Sequence, residues 1–249
     1  KNIVDSLMFI ALIMATPFFV VFGWLSDKVG RKWIMMAGML IAILSYRTIY
    51  DKMYHVVDVK NKTEITDKAT STSEIKTNKD GSIDSVYTNI KAYTDGATRT
   101  ETITRSYTNN TPVLVDGKPK EIKKTVIAIN KSDKWSLIWL VFIQVIFVTM
   151  VYGPIAAFLV EMFPAKIRYT SMSLPYHIGN GVFGGLLPAV ATYLATNAKT
   201  ANEAATKIGA ALPYDKPYLE GLWYPIAVAT VCLIIGVVYL NGNDHRIDD

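Results

Sequence analysis

Four charges sit where long uncharged runs meet short loops, and their signs are the unfavourable ones. Asp27 and Glu161 close such runs, while Arg31 and Arg168 open the next ones. An acid at a helix C-terminus and a base at an N-terminus each oppose the local dipole, at ~0.3–1 kcal/mol apiece. Four such placements make sense if the acids pair with the arginines across helices. Bonds of that kind close one face in one arrangement and break in another, which makes them a gate. Driving such a gate from 1:99 to 99:1 takes about 5.5 kcal/mol, and three or four partly desolvated bonds supply much of it. The alternative is that these are solvated loop charges that only enforce topology. A second set is polar and deep. Ser173, His177, Asn180 and Gly184 are spaced i, i+4, i+7, i+11 and share one helical face. His177 lies nine residues beyond Arg168, or ~13 Å at 1.5 Å per residue. Gln144 and Tyr152, eight residues apart, also share a face. Polar groups at that depth face a cavity or another helix. Gln144, Tyr152, His177 and Asn180 are therefore candidates to line a substrate path, the alternative being helix–helix hydrogen bonds worth ~0.6 kcal/mol each.

The elements that must position them follow from composition. Only 19% of the 249 residues are charged, below the usual ~25%. The deficit is concentrated in Ser6–Ser26, Ser136–Val160, Tyr169–Ala198 and Gly221–Asn243, which hold no Asp, Glu, Lys or Arg. Apolar runs of about 18 residues or more cross membranes. Trp33–Tyr50, interrupted by Arg47 near its end, makes a fifth span, with Arg47 able to snorkel to the interface. An ordinary soluble globular protein and a disordered chain are excluded. Between the second and third spans, residues 51–134 are rich in Thr, Lys, Asp, Asn and Ser. From about 80 to 130, alternating Val, Ile, Thr and Tyr are punctuated by Asp80-Gly81, Asp95-Gly96 and Asp116-Gly117. Asp-Gly between such runs predicts hairpins. The expectation is an all-α membrane protein of five transmembrane helices carrying a small β-rich extracytoplasmic insert, with a disordered loop as the alternative for the insert. Its divisions are 1–50, 51–134 and 135–249. The net charge of +5 does not point to nucleic acid. Residues 51–134 hold 15 basic and 12 acidic side chains, interspersed and without a basic stripe. A single cysteine, Cys232, forms no disulfide framework or zinc site. No metal and no cofactor is expected.

Short loops rich in Lys and Arg face the cytoplasm. Lys28, Arg31 and Lys32 outnumber Asp27 in the first loop, and Lys166 and Arg168 outnumber Glu161 in the third. The insert then lies outside and the tail inside. The chain opens at Lys1 without a charged-then-apolar leader, as a fragment whose beginning is missing would. If the whole protein starts in the cytoplasm, an odd number of spans precedes it.

The loop Gly23-Trp24-Leu25-Ser26-Asp27-Lys28-Val29-Gly30-Arg31-Lys32 resembles the signature loop of the major facilitator superfamily, Gly-x-Leu-x-Asp-x-x-Gly-Arg-Lys/Arg. The segment from Tyr152-Gly153-Pro154 to Glu161-Met162-Phe163-Pro164, and then Arg168-Tyr169-Thr170-Ser171 to Tyr176-His177-Ile178-Gly179-Asn180-Gly181, is similar to the metabolite:proton symporter branch of proline/betaine, 2-oxoglutarate, citrate, dicarboxylate and shikimate transporters. The resemblance covers both membrane blocks and not the insert. It implies a twelve-helix major facilitator fold, with the five spans as helices 8 to 12. Helices 2 to 6 are the rival placement, and the short tail favours the former. It implies a cytoplasmic gate built from Gly23, Asp27, Gly30, Arg31, Lys32, Glu161 and Arg168.

The expected function is proton-coupled symport of a small organic solute by alternating access, in the inner membrane, with no enzymatic step. The partners would be the solute, a proton, the bilayer and the missing N-terminal half, with no nucleic acid. No carboxylate lies mid-span, so a proton-coupling acid is expected in the missing half. His177, whose ordinary pKa is near neutral, is the candidate proton carrier here. The alternative function is a membrane receptor or sensor that binds a ligand through the 51–134 insert. Gly181 and Gly185 form a Gly-x-x-x-Gly step expected to allow close helix approach.

Overall fold

The computed structural model describes residues 2–77, 83–108, 111–115, 118–119 and 121–240. It divides into two compact units, Lys1–Met53 with Ile138–Asp249, and Tyr54–Leu137. The turns expected at Asp80-Gly81 and Asp116-Gly117, and the tail from Asn241, lie outside the described residues.

Among the described residues, five helical rods long and apolar enough to cross a membrane run over Val4–Val29, Arg31–Val57, Lys131–Met162, Arg168–Lys207 and Pro217–Tyr239. In detail, α1 is Asn2–Val29, α2 is Arg31–Val57 and α3 is Lys131–Met162. The fourth rod is composite. Helix α4 (Arg168–His177) passes into a π-helical segment, Ile178–Gly184, and then into α5 (Gly185–Lys207). A 3-10 turn, Pro217–Leu222, leads into α6 (Trp223–Tyr239). The first four rods overrun their apolar stretches at both ends, and the fifth begins four residues ahead of its uncharged stretch. Helix α2 continues to Val57, so Arg47 is not near a helix end as expected.

The first unit is built for an apolar solvent. Phe9, Val20, Leu44 and Val238 are each more than 60% exposed, while the buried positions of α1 include Ala11, Ala15 and Ser26. Small residues inside and large apolar ones outside is how membrane helices pack, because lipid gives no hydrophobic drive for large residues to turn inward. The closest crossings confirm the pattern. A Cβ on Gly38 would sit 2.8 Å from the Met150 Cβ, and one on Gly153 would sit 3.1 Å from the Phe19 carbonyl oxygen. Helix α3 thus packs tightly on both α1 and α2. A Cβ on Gly221 would meet the Ala191 carbonyl oxygen at 2.6 Å, which sets the 3-10 turn against α5. At Gly181 and Gly185 there is nothing within 4 Å among the described residues. Among the described residues, the Gly-x-x-x-Gly step makes no close helix contact.

The second unit is a small antiparallel sheet. Strands β1 (Glu64–Thr77), β2 (Ile83–Tyr93) and β3 (Thr98–Thr108) form a meander. The sheet begins at Glu64, earlier than the sequence pattern placed it. Strand β4 (Thr111–Pro112) pairs with β3, β5 (Leu114–Val115) pairs with β6 (Lys118–Pro119), and β7 (Glu121–Ala128) returns to β3. The β2–β3 turn is the expected Asp95-Gly96 hairpin, with Gly96 at φ 86°, where a Cβ is strained. The small core is Val59, Tyr93 and Ala97, with Ile127 packed on it. In the register, Ser71, Asn89 and Glu101 lie in one row, and Ser73, Tyr87 and Ile103 in the next. These rows floor an open hollow of about 390 Å³.

A polar knot closes the base of the sheet. The Lys62 Nζ lies 2.6 Å from the Asp95 Oδ2 and 2.5 Å from the Asp133 Oδ2. The Asn130 Oδ1 accepts from the Asp133 N–H at 2.7 Å, capping α3, and its Nδ2 donates to Asp95 at 3.0 Å. Desolvation works against the Lys62 charge, but the bonds to Asp133 and Asp95 outweigh it and hold the amine above its ordinary pKa. The bond from Lys62 holds the Asp95 carboxyl below its ordinary range, against partial desolvation and with help from the Ala97 N–H. A lowered carboxyl pKa stabilises the fold above the ordinary carboxylate range, and that contribution is lost as pH falls through the lowered value. A raised amine pKa stabilises below the ordinary lysine range and fails as pH rises through the raised value. The protection factors of the Tyr93 and Ala97 amides in hydrogen exchange, corrected for the intrinsic pH dependence of the rate, therefore stay flat across neutral pH and fall at both extremes. Lys62→Met removes about 1 kcal/mol at neutral pH and flattens the acid limb.

Candidate functional site

The turn from α1 to α2 takes a single residue. The Gly30 N–H donates to the Ser26 carbonyl at 2.9 Å, and Gly30 stands at φ 103°. This left-handed residue ends α1 and lets Arg31 begin α2 at once, a conformation that disfavours any residue with a Cβ. Ser26 is buried, and its hydroxyl donates to the Gly23 carbonyl at 2.6 Å. At Gly23 a Cβ would lie 4.0 Å from the Gly153 carbonyl oxygen, so the end of α1 runs beside α3.

That proximity brings the acids to one arginine. The Arg31 guanidinium lies 3.1 Å from the Asp27 Oδ1 and 2.6 Å from the Glu161 Oε1. It ties the last turn of α1, the first turn of α2 and the last turn of α3. The Arg31 side chain is 19% exposed, against 59% for Asp27 and 51% for Glu161. Bonds with that much solvent on the acid side contribute roughly 0–1 kcal/mol each. Two of them fall well short of the 5.5 kcal/mol that a complete switch needs.

The other expected members sit differently. Arg168 does not join the acids; its Nε donates to the Phe163 carbonyl at 3.2 Å, just past the end of α3. Lys32 is 8% exposed and donates to the carbonyl of Val237, at 3.3 Å, and to that of Leu240. It caps the C-terminal end of α6, where a positive charge is favourable. Lys28 stacks over the Trp24 ring at 3.9 Å.

The expected path residues are partly brought together. The Tyr152 hydroxyl of α3 donates to the Asn180 Oδ1 at 2.8 Å. The His177 Nδ1 is 2.7 Å from the Ser173 carbonyl and 3.2 Å from its Oγ. A carbonyl can only accept, so in the neutral ring Nδ1 carries the hydrogen and Nε2 presents a lone pair. Gln144 points elsewhere, to the Met53 Sδ of α2 at 3.1 Å. The even stripe from Ser173 to Gly184 does not persist either. The α spacing holds from Ser173 to His177 and is reset by the π segment that follows.

A second polar cluster lies some 16 residues along α2, or ~24 Å from Arg31. Arg47 reaches the Glu220 Oε1 and the Leu219 carbonyl, both at 3.4 Å, and lies 4.6 Å from the centre of the Trp223 ring. One turn further on, Asp51 takes the Lys216 Nζ at 2.8 Å and the Tyr218 hydroxyl at 2.5 Å. Arg47, whose side chain is 33% exposed, thus ties α2 to the 3-10 turn. Its sequence signal was a lone cation inside an apolar run; its partner is 173 residues away.

Comparison with known proteins finds a relative. The chain is 46% identical over 113 residues to a protein of Haemophilus influenzae provisionally named as a metabolite transport protein. The match covers 45% of this chain and 21% of that protein, so the chain spans about a fifth of its relative's length. No family model matches, and no solved structure does. Five membrane-length helices and partial homology to a transport protein make this a multi-pass membrane protein.

The capping of α6 by Lys32 is separable from the Arg31 bonds. Lys32→Met should destabilise the detergent-solubilised protein by about 1.5–3 kcal/mol, the range for a hydrogen bond to a charged group, seen as a lower midpoint in thermal unfolding. Lys28→Met, which loses only a stacking contact, should stay within about 0.5 kcal/mol of the parent.

Proposed function

We propose that this chain is the C-terminal part of a twelve-span secondary active transporter of the major facilitator superfamily, in its metabolite:proton symporter branch. It would carry a small organic solute with a proton by alternating access across the cell inner membrane. The observation that carries this reading is the placement of Arg31 between Asp27 and Glu161, at the meeting point of three helix ends. A loop that only set topology would leave such charges in water. Here one cation is drawn in to hold two acids that each oppose a helix dipole. The 46% identity to a metabolite transport protein supports the same reading.

In this scheme Gly23, Asp27, Gly30, Arg31, Lys32, Glu161 and Arg168 form the cytoplasmic gate region. Arg31 makes its bonds, Gly30 permits its turn, and Lys32 fixes α6 beside it. The two bonds are weak enough to break in each cycle, so solute binding and contacts with the other six-span half must supply the rest of the switching energy. Tyr152, Asn180 and His177 line the path, with the His177 Nε2 offered as a proton acceptor. Gln144 is the outermost of the set. The divisions 1–50, 51–134 and 135–249 then correspond to helices 8 and 9, an insert facing outward, and helices 10 to 12.

Arg31→Gln in the full-length protein tests this. Proteoliposome uptake of organic acids and betaines, with and without a pH gradient, should fall at least tenfold, while membrane insertion stays at the parent level. Parent uptake rates in Arg31→Gln would remove the gate.

A further inference from the structure

The π segment Ile178–Gly184 interrupts the fourth rod between the candidate path residues and α5. π-Helix is rare, under 1% of residues, and usually a local insertion of one residue. No residue from 178 to 184 is buried. Nothing lies within 4 Å of a Cβ built on Gly179 or Gly181, and one built on Gly184 meets only the segment's own Gly179 carbonyl, at 3.7 Å. Among the described residues, side-chain packing is therefore not what holds this unusual turn.

Two hydroxyls from two flanking helices hold it instead. The Tyr152 hydroxyl of α3 donates to the Asn180 side chain at 2.8 Å. The Tyr224 hydroxyl of α6 donates to the Phe183 carbonyl at 3.0 Å. The second bond falls next to a carbonyl that lacks its helical donor. Pro188 has no N–H. The Gly184 carbonyl therefore has no i+4 donor in an α register, and the Phe183 carbonyl has no i+5 donor in a π register. A hydroxyl arriving at Phe183 favours the π register at that point.

We propose that the π segment is a two-register switch in the substrate path, and that Tyr224 is the positioning residue that holds it in the π register while Tyr152 holds its Asn180 side chain. Conversion to a continuous α-helix absorbs the extra residue. It turns α4, with Ser173 and His177, by about 100° relative to α5, one residue's rotation on a 3.6-residue turn. The His177 Nε2 and the Asn180 amide are then re-aimed together, with no change in α5. The assignment of a path to these residues rests on the transporter reading; the two-register switch is a property of the helix itself.

The test uses the full-length protein with Cys232→Ser, so that a reporter thiol stands alone within this chain. His177→Cys is labelled with a water-soluble maleimide in membranes, alone and combined with Tyr224→Phe or with deletion of Val182, which removes the extra residue. The expected result is a change of at least threefold in labelling rate for both combinations. In parallel, Tyr224→Phe with His177 intact should lower maximal uptake at least threefold while KM stays within twofold, as expected of a residue that sets a conformational equilibrium without touching solute. Unchanged labelling in both combinations overturns the switch. If the deletion fails to insert, Tyr224→Phe decides alone. If the parent protein takes up no solute, the transporter reading fails and the labelling arm still decides the switch.

Discussion

One guanidinium serves two carboxylates from different helices. The geometry of the first unit around it depends on this. Arg31 can reach Asp27 only because Gly30 turns the chain in a single residue, and it can reach Glu161 only because Gly23 and Gly153 let α1 lie close beside α3. Asp27 and Glu161 are each more than half exposed. The bonds are therefore adequate to select an arrangement and too weak to lock it. A fully buried triad would be hard to open, since removing one partner of a buried pair costs several kcal/mol. Lys32, next in sequence, is nearly buried and fixed on the carbonyl end of α6. Adjacent cations thus differ in setting: Arg31 meets two half-exposed acids, and Lys32 meets the carbonyl end of α6.

At the far end of α2, Arg47 and Asp51 bind the 3-10 turn ahead of α6. With Lys32 at the near end, α2 grips both ends of the last membrane segment. Between those grips, contact is made by small residues and sulfur, such as Gly236 against Met36. This is the packing expected where lipid supplies no hydrophobic drive and shape must substitute for it. The sheet unit follows the other rule: its stability is concentrated at one end, in a four-residue apolar cluster and the Lys62 knot.

Much of this was legible in the residues. Uncharged runs marked the five rods because a bilayer admits little else at that length. The unfavourable signs of Asp27, Arg31 and Glu161 announced partners, and the three do meet. Arg168 carried the same signal and found a backbone carbonyl at the end of α3, since a free helix end competes with a carboxylate for a guanidinium. Asp95-Gly96 gave its hairpin because the turn chemistry is local. What was hidden was long-range or non-ideal. Nothing near Arg47 points to Glu220. The stripe from Ser173 to Gly184 assumed 3.6 residues per turn throughout, and the π segment, Ile178–Gly184, breaks that spacing with no local motif that marks it. The absence of an i+5 donor at Pro188 was visible, but it acquires meaning only once Tyr224 is seen to be within reach.

The most direct measurement of the central claim is a charge exchange. Arg31→Glu and Glu161→Arg are made singly and together in the full-length protein, and solute uptake is followed in proteoliposomes. If the Arg31–Glu161 bond is the working contact, each single reversal abolishes uptake and the double reversal restores at least a tenth of the parent rate. A double variant as inactive as either single one, or a single reversal that transports normally, would contradict the account.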